Sequence, residues 1–337
     1  MRINFLLPHL KISGGVRIIL MYAHFLAERG YKVKVIVKNS RFLTRNISNL
    51  ILHKPKWFKE FKGRIIKVKE ISDKYIPESD VIIASAWNNV NDINKLKGKK
   101  IHFIQHDERL YHGNKEEVEK VFNLPFKKIV VSTWLKGIVK NDFNQDSELL
   151  LNPIDLNQFH KVKSKRDLNK VRILLLHHDY DWKGSKVGIK IVNDLKNNYP
   201  HIELVLFGVR KKDIDIPCDE YHYNLSQSKL KDLYSSCNIF LCPSWDEGSG
   251  LPSMEAMACK CALVTYDNGG SRDYAFENKT AMVASRKDQN DLRDKLELLV
   301  KDKDLREQIA ENGYNHILSM PKWQDQTNKL ENILKHA

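Results

Sequence analysis

Two carboxylates flank a glycine-bearing turn in Glu247-Gly248-Ser249-Gly250-Leu251-Pro252-Ser253-Met254-Glu255. An apolar run over 239–242 precedes the turn, and Pro252 sits where a helix would begin. The pattern is a strand that delivers a loop to a helix N-terminus. Such a loop brings backbone N–H groups close to an anion, and the helix dipole favours negative charge there. Carboxylates beside a phosphate repel it, so Glu247 and Glu255 need another task. A carboxylate accepts paired hydrogen bonds from neighbouring sugar hydroxyls. The stretch therefore reads as a site for a molecule that is both phosphate and sugar.

Other residues carry compatible chemistry. Trp182-Lys183-Gly184 places a cation before a turn glycine, next to His177-His178-Asp179-Tyr180-Asp181. Asn268-Gly269-Gly270-Ser271-Arg272-Asp273 follows an apolar run over 262–266. Gly14-Gly15-Val16 stands between a first strand and an amphipathic helix, and it is not the G-x-G-x-x-G dinucleotide fingerprint, which disfavours a nicotinamide dehydrogenase. His106 lies in Ile104-Gln105-His106-Asp107, just past a strand, where Asp107 would orient it or itself bind an acceptor. Asp179-Tyr180-Asp181 and Asp213-Ile214-Asp215 have Asp-x-Asp spacing, which chance explains better than a metal site.

The elements that must hold these residues alternate. Strands are expected over 3–7, 33–37, 65–68, 81–84, 101–104 and 129–131, with a helix over 16–29 stopped by Gly30 and a helix capped by Ser132. After a polar segment containing Pro153, strands recur over 171–176, 204–207, 239–242 and 262–266. Helices are expected over 185–195, 226–236, 289–300, 304–319 and 322–335, the last two broken by Pro321. This predicts an N-terminal domain over 1–152, a linker over 153–170, a second domain over 171–320 and a terminal helix over 321–337. Both domains read as α/β, Rossmann-like, doubly wound parallel sheets, whose ligands bind at the carboxyl ends of the strands.

A chain of 337 residues with 42% hydrophobic residues has the material for two cores. It has no apolar run of about 18 residues, so no membrane-spanning helix is expected. The start reads as a strand, not a signal peptide. Five cysteines without zinc-type pairing fit a reduced, cytoplasmic compartment. A net charge of +14 attracts polyanions: nucleic acid, an anionic membrane or phosphorylated substrates. Lys54, Lys56, Trp57, Phe58, Lys59, Phe61, Lys62 and Arg64 interleave charge with aromatics, as a segment touching an anionic leaflet would, with Trp57 and Phe58 at headgroup level, or one binding single-stranded nucleic acid; a half-buried loop and strand with solvated lysines fits the same pattern.

On the Glu247…Glu255-Ala256-Met257-Ala258 stretch, the Lys183-Gly184 pair and the Gly269-Gly270 loop, the chain resembles the family-4 retaining glycosyltransferases of GT-B fold. It departs from that family's pattern at Ser249, where an aromatic residue is usual, at His178, where an arginine is usual, and at Asp273, where a glutamate is usual. The resemblance implies two domains facing across a cleft, with the terminal helix crossing back to the first. It implies that Lys183, Gly248–Gly250 and the helix start at Leu251 hold the donor diphosphate. Glu247 and Asn268–Gly270 then hold the sugar, Glu255 the ribose, and Gly14 and Gly15 approach the phosphates. His178 in place of arginine implies a weaker or pH-sensitive clamp. His106 falls at the acceptor. No cofactor or catalytic metal is expected, and no nucleic acid. The implied partners are a nucleotide sugar and a glycan or lipid-linked glycan acceptor. A nucleotide-sugar epimerase of the same fold is the alternative, and a basic nucleic-acid-binding protein a more remote one.

Overall fold

A computed structural model describes residues 1–38, 49–52, 54–55, 57–111, 113–163, 169–209 and 216–337. Asp213-Ile214-Asp215 and Lys56 lie outside the described residues. The chain divides into two compact units, Met1–Asn152 with Gln324–Ala337, and Pro153–Trp323.

The first unit contains β1 (Arg2–Leu7), α1 (Gly14–Glu28), β2 (Lys32–Lys38), β3 (Asn49–Leu52), β4 (Arg64–Val68), β5 (Val81–Ala84), α2 (Trp87–Ile93), β6 (Lys99–Ile104), α3 (Lys115–Phe122), β7 (Lys127–Val130), α4 (Thr133–Phe143) and β8 (Glu148–Leu149). The strands form one sheet in the order β3-β4-β2-β1-β5-β6-β7-β8. All its pairings are parallel except β3 with β4, which is antiparallel. Val33, Val35, Ile36 and Val37 of β2 are buried, as are Val16, Ile19, Leu20, Ala23 and Leu26 of α1. These strands read as near-continuous apolar runs because both faces of a parallel sheet are covered. Helix α1 starts at Gly14 rather than after Gly15, because the Ser13 hydroxyl accepts from Val16 N at 3.3 Å and caps the first turn.

Two of the three aromatic rings of this segment, Phe58 and Phe61, are withdrawn into the core, and Trp57 is half-buried. Phe61 is fully buried and Phe58 nearly so, with their rings 5.7 Å apart and Phe58 5.1 Å from His24 of α1. Trp57 stacks on Phe58 at 5.9 Å. The placement of Phe58 at a headgroup level is thereby corrected, since its hydrophobic area is already spent on the core.

The second unit contains β9 (Val171–Leu176), α5 (Ser185–Lys196), β10 (Ile202–Gly208), β11 (Glu220–Tyr223), α6 (Gln227–Ser236), β12 (Ile239–Cys242), α7 (Leu251–Ala258), β13 (Ala262–Tyr266), β14 (Met282–Ala284), α8 (Gln289–Lys301) and α9 (Lys303–Ser319). Its sheet is parallel throughout, in the order β11-β10-β9-β12-β13-β14. Ile173 and Leu175 of β9 pack in one core with Val192 of α5, Leu292 and Leu296 of α8 and Ile309 of α9. On the alternate face, Phe207 and Phe240 set their rings 5.7 and 5.8 Å from Tyr234 of α6. Residues expected as a linker pack on this unit: Phe159 is buried with its ring 6.1 Å from Tyr234, and Lys161 Nζ donates to Ser235 O at 2.8 Å. Helix α10 (Trp323–Lys335) groups with the first unit from Gln324 onward. There Glu331 accepts from Arg29 Nη1 at 2.8 Å and from the Tyr31 hydroxyl. All five cysteines are free thiols, and four of them are buried.

Candidate functional site

Strand order decides where side chains from distant parts of the chain meet. In the second unit β9 and β12 are neighbours, while β10 and β13 lie to either side. The connection therefore reverses direction between β9 and β12, and the loops leaving their carboxyl ends diverge to leave a crevice. Lys183 follows β9 and Glu247 follows β12. Lys183 Nζ donates to Glu247 Oε1 at 2.7 Å, with both side chains mostly buried. A cavity at this point is lined by Lys183, Glu247, Gly250, Cys242, Ser244 and Ser253 among others.

Each member is held by its own element. Gly184 follows Lys183 in the left-handed conformation, φ +65°, and an added Cβ would stand 2.0 Å from Pro243 O. That close approach ties the Lys183 turn to the end of β12. Glu247 N donates to Asn268 O at 2.8 Å, and Gly270 N donates back to Glu247 O at 3.0 Å. The loops after β12 and β13 are thus zipped together, which brings Glu247, Gly248, Asn268, Gly269 and Gly270 into one patch. Gly250 stands at the N-cap of α7 with φ +79°, where an added Cβ would fall 2.2 Å from the Tyr274 hydroxyl. Leu251 and Pro252 open the helix; Pro252 brings no N–H, and Ser253 N and Met254 N donate to Gly250 O at 3.0 and 3.3 Å, so the Leu251 N–H leads the helix into the loop. Asp246, 3% exposed, accepts a bidentate pair from Arg286, Nε to Oδ1 at 3.0 Å and Nη2 to Oδ2 at 2.7 Å, which anchors the residue before Glu247.

Glu255 sits on α7 and does not itself line the cavity. It is 2% exposed, and its Oε2 accepts from the Tyr234 hydroxyl at 3.2 Å. His178 Nδ1 accepts from Tyr180 N at 3.1 Å, which assigns the ring proton to Nε2. Asp181 pairs with Lys186 at 3.6 Å, on the surface.

The first unit gathers a second set at its own reversal, between β1 and β5. Gly14 and Gly15 begin α1 just beyond β1, and an added Cβ at Gly15 would stand 3.1 Å from Gln105 Nε2. His106 Nδ1 lies 3.1 Å from Asp107 O. Asp107 is 3% exposed and binds Arg109, not the His106 ring, at 2.8 Å; Arg109 also reaches Asp142 at 2.7 Å. Glu108 Oε2 accepts from Trp87 N at 2.8 Å, and burial pushes its carboxyl up to about 8. The structure thus adds Cys242, Ser244, Ser253, Asp246–Arg286 and Glu108 to the residues picked out by motif. Ser253, the third residue of α7, and Cys242, the last of β12, both lay in stretches the sequence singles out.

Comparison with known proteins agrees with this architecture. The family model described as glycosyl transferases group 1 matches residues 157–316. An uncharacterized glycosyltransferase of Bacillus subtilis is 25% identical over 205 residues, 57% of this chain and 56% of the relative. The N,N'-diacetylbacillosaminyl-diphospho-undecaprenol alpha-1,3-N-acetylgalactosaminyltransferase of Campylobacter jejuni is 34% identical over 92 residues, 27% of this chain and 24% of the relative. The chain thus spans about half or less of these relatives' lengths. The crystal structure of Anabaena HepE in complex with UDP and glucose superposes with a TM-score of 0.76 at 13% identity, covering 100% of both chains. The last of these shares the fold, GT-B. The segment 157–316, which holds Lys183, Glu247 and the loops that join them, is where this chain matches the glycosyl transferases group 1 family.

Proposed function

We propose that this chain transfers a hexosyl group from a nucleotide-diphospho-sugar to an acceptor hydroxyl, with retention of anomeric configuration. The observation that carries the reading is the 2.7 Å Lys183–Glu247 pair at the β9/β12 reversal, inside the family segment. A diphosphate entering this crevice offers Lys183 a doubly charged partner in place of Glu247. Glu247 is then released to accept hydrogen bonds from sugar hydroxyls. The Leu251 N–H at the positive end of α7 and the Gly248–Gly250 backbone take the remaining phosphate charge, which stabilises the departing diphosphate. Asn268–Gly270, zipped to Glu247, completes the sugar side. Glu255 is assigned to the ribose, and His106 of the first unit to the acceptor hydroxyl. No side chain is assigned as a covalent nucleophile, so the acceptor attacks on the face the diphosphate leaves.

Support for the donor comes from HepE, whose structure is described with UDP and glucose. Support for a lipid-linked or surface-polysaccharide acceptor comes from the Campylobacter relative, named for a diphospho-undecaprenol substrate, and from a Staphylococcus aureus relative named for capsular polysaccharide biosynthesis. The test is turnover of a panel of nucleotide sugars by Lys183→Ala and Glu247→Ala variants that stay folded. Transfer falls by at least a hundredfold in both. Normal turnover in either variant overturns the assignment, and release of an epimerised free donor by the wild type would point to the epimerase instead.

A further inference from the structure

Lys183 does not stand in open solvent when the site is empty. Its Nζ lies 4.2 Å from the centroid of the Trp182 ring. Trp182 is 9% exposed, and its ring stacks on Tyr180 at 5.8 Å with an interplanar angle of 18°. Tyr180 in turn sits 4.5 Å from His178. The three rings form one pile that ends at the ammonium. The pile is fixed to the β12 loop, because Trp245 N donates to Trp182 O at 2.8 Å. It is fixed to its own turn by Lys183 N donating to Tyr180 O at 3.0 Å.

Two groups therefore hold the Lys183 ammonium: the Glu247 carboxylate and the Trp182 face. A diphosphate displaces the first and leaves the second. The geometry points to Trp182 as a positioning residue that keeps Lys183 aimed at the diphosphate of the donor. This rests on the reading that Lys183 grips that diphosphate. A lysine stem has four rotatable bonds, and a cation fixed on a ring face before the ligand arrives loses less freedom on binding. The platform also answers the missing arginine. With His178 tied back to Tyr180 N where the resemblance expects an arginine, the clamp leans on Lys183, and the placement of that ammonium matters more.

The experiment measures binding of UDP, GDP and ADP, and of the matching nucleosides, to wild type, Trp182→Phe, Trp182→Leu and Lys183→Ala. A further variant carries a ring-fluorinated tryptophan at 182, which keeps the shape and weakens the negative face. Trp182→Leu weakens the preferred diphosphate by about 3- to 30-fold and leaves its nucleoside unchanged. Trp182→Phe recovers part of the loss, and fluorination weakens diphosphate binding in the same direction. Unchanged diphosphate binding in the Trp182 variants, beside a loss in Lys183→Ala, overturns the platform and leaves the donor reading standing. Equal losses for diphosphate and nucleoside also overturn it, since they mark general damage to the unit. Wild-type binding in Lys183→Ala, or no diphosphate bound by the wild type, overturns the donor reading and the platform with it.

Discussion

Gly184→Ala tests whether the Lys183 turn is built against the end of β12 as described. Two costs add. The glycine has φ +65°, where a Cβ strains the backbone by about 1–2 kcal/mol. The new methyl would also sit 2.0 Å from Pro243 O and 2.8 Å from Pro243 C. Both are backbone atoms, so no side chain can rotate away. Opening that contact to ordinary separation moves the turn or the β12 end by roughly an ångström, an overpacking cost of about 1–3 kcal/mol. The alanine restricts the unfolded chain and returns about 0.4–1 kcal/mol. The net is a destabilisation of roughly 2–4 kcal/mol, or a fall in Tm of about 5–15 °C for a unit of this size. The assay is denaturant unfolding followed by tryptophan fluorescence, with Gly137→Ala as control. Gly137 lies inside α4, where an added Cβ meets nothing within 4 Å, so that variant gains about 0.5–1 kcal/mol. A Gly184→Ala protein within about 0.5 kcal/mol of wild type would refute the contact and the reasoning built on it.

Other outcomes follow from buried groups. Leu175→Ala, in the centre of the β9 core, costs about 2–5 kcal/mol in denaturant unfolding. Arg306 is buried and donates to Leu299 O at 2.6 Å and Val300 O at 3.3 Å, so Arg306→Met strands the last carbonyls of α8 and costs about 1–3 kcal/mol by the same assay. His102 is 1% exposed, neither ring nitrogen has a hydrogen-bond partner among the described residues, and burial holds its imidazole down to about 3. The folded chain refuses a proton that the unfolded chain accepts below about 6.5, so stability falls as pH drops through this window. His102→Leu removes that slope and is the more stable protein at pH 5 by about 2 kcal/mol; an unchanged slope in pH-dependent unfolding would refute it.

The strands that carry the site were legible because a covered parallel sheet demands long apolar runs, and the runs before Glu247 and after Pro153 are of that kind. β11 was not legible. Its Glu-Tyr-His-Tyr sequence has no apolar run, and it exists because it registers against β10 at the sheet edge. The turn between Lys183 and Gly184 was visible as a cation before a glycine. Its partnership with Glu247, 64 positions away, was not, because only the β9-β12 adjacency brings the two together. The Trp182 platform was hidden for a related reason: a neighbouring lysine and tryptophan in sequence point apart unless a turn folds one over the other. Phe58 and Phe61 misled because charged neighbours made them look superficial. Their three-residue spacing instead turns both rings into the core under α1.

The return of residues 324–337 to the first unit has a consequence for biosynthesis. The second unit is one unbroken segment, so everything it needs has left the ribosome once Trp323 has emerged. The first unit starts earlier and finishes later. Until α10 is made, Arg29 and Tyr31 wait for Glu331, and the buried faces of Leu330, Ile333 and Leu334 are missing from its core. At ordinary elongation rates that interval lasts on the order of ten seconds or more, during which the N-terminal half is a nascent chain with an open apolar surface. A chaperone that recognises such surface would find its target there, and a lesion in α10 would harm the unit whose other elements are made first.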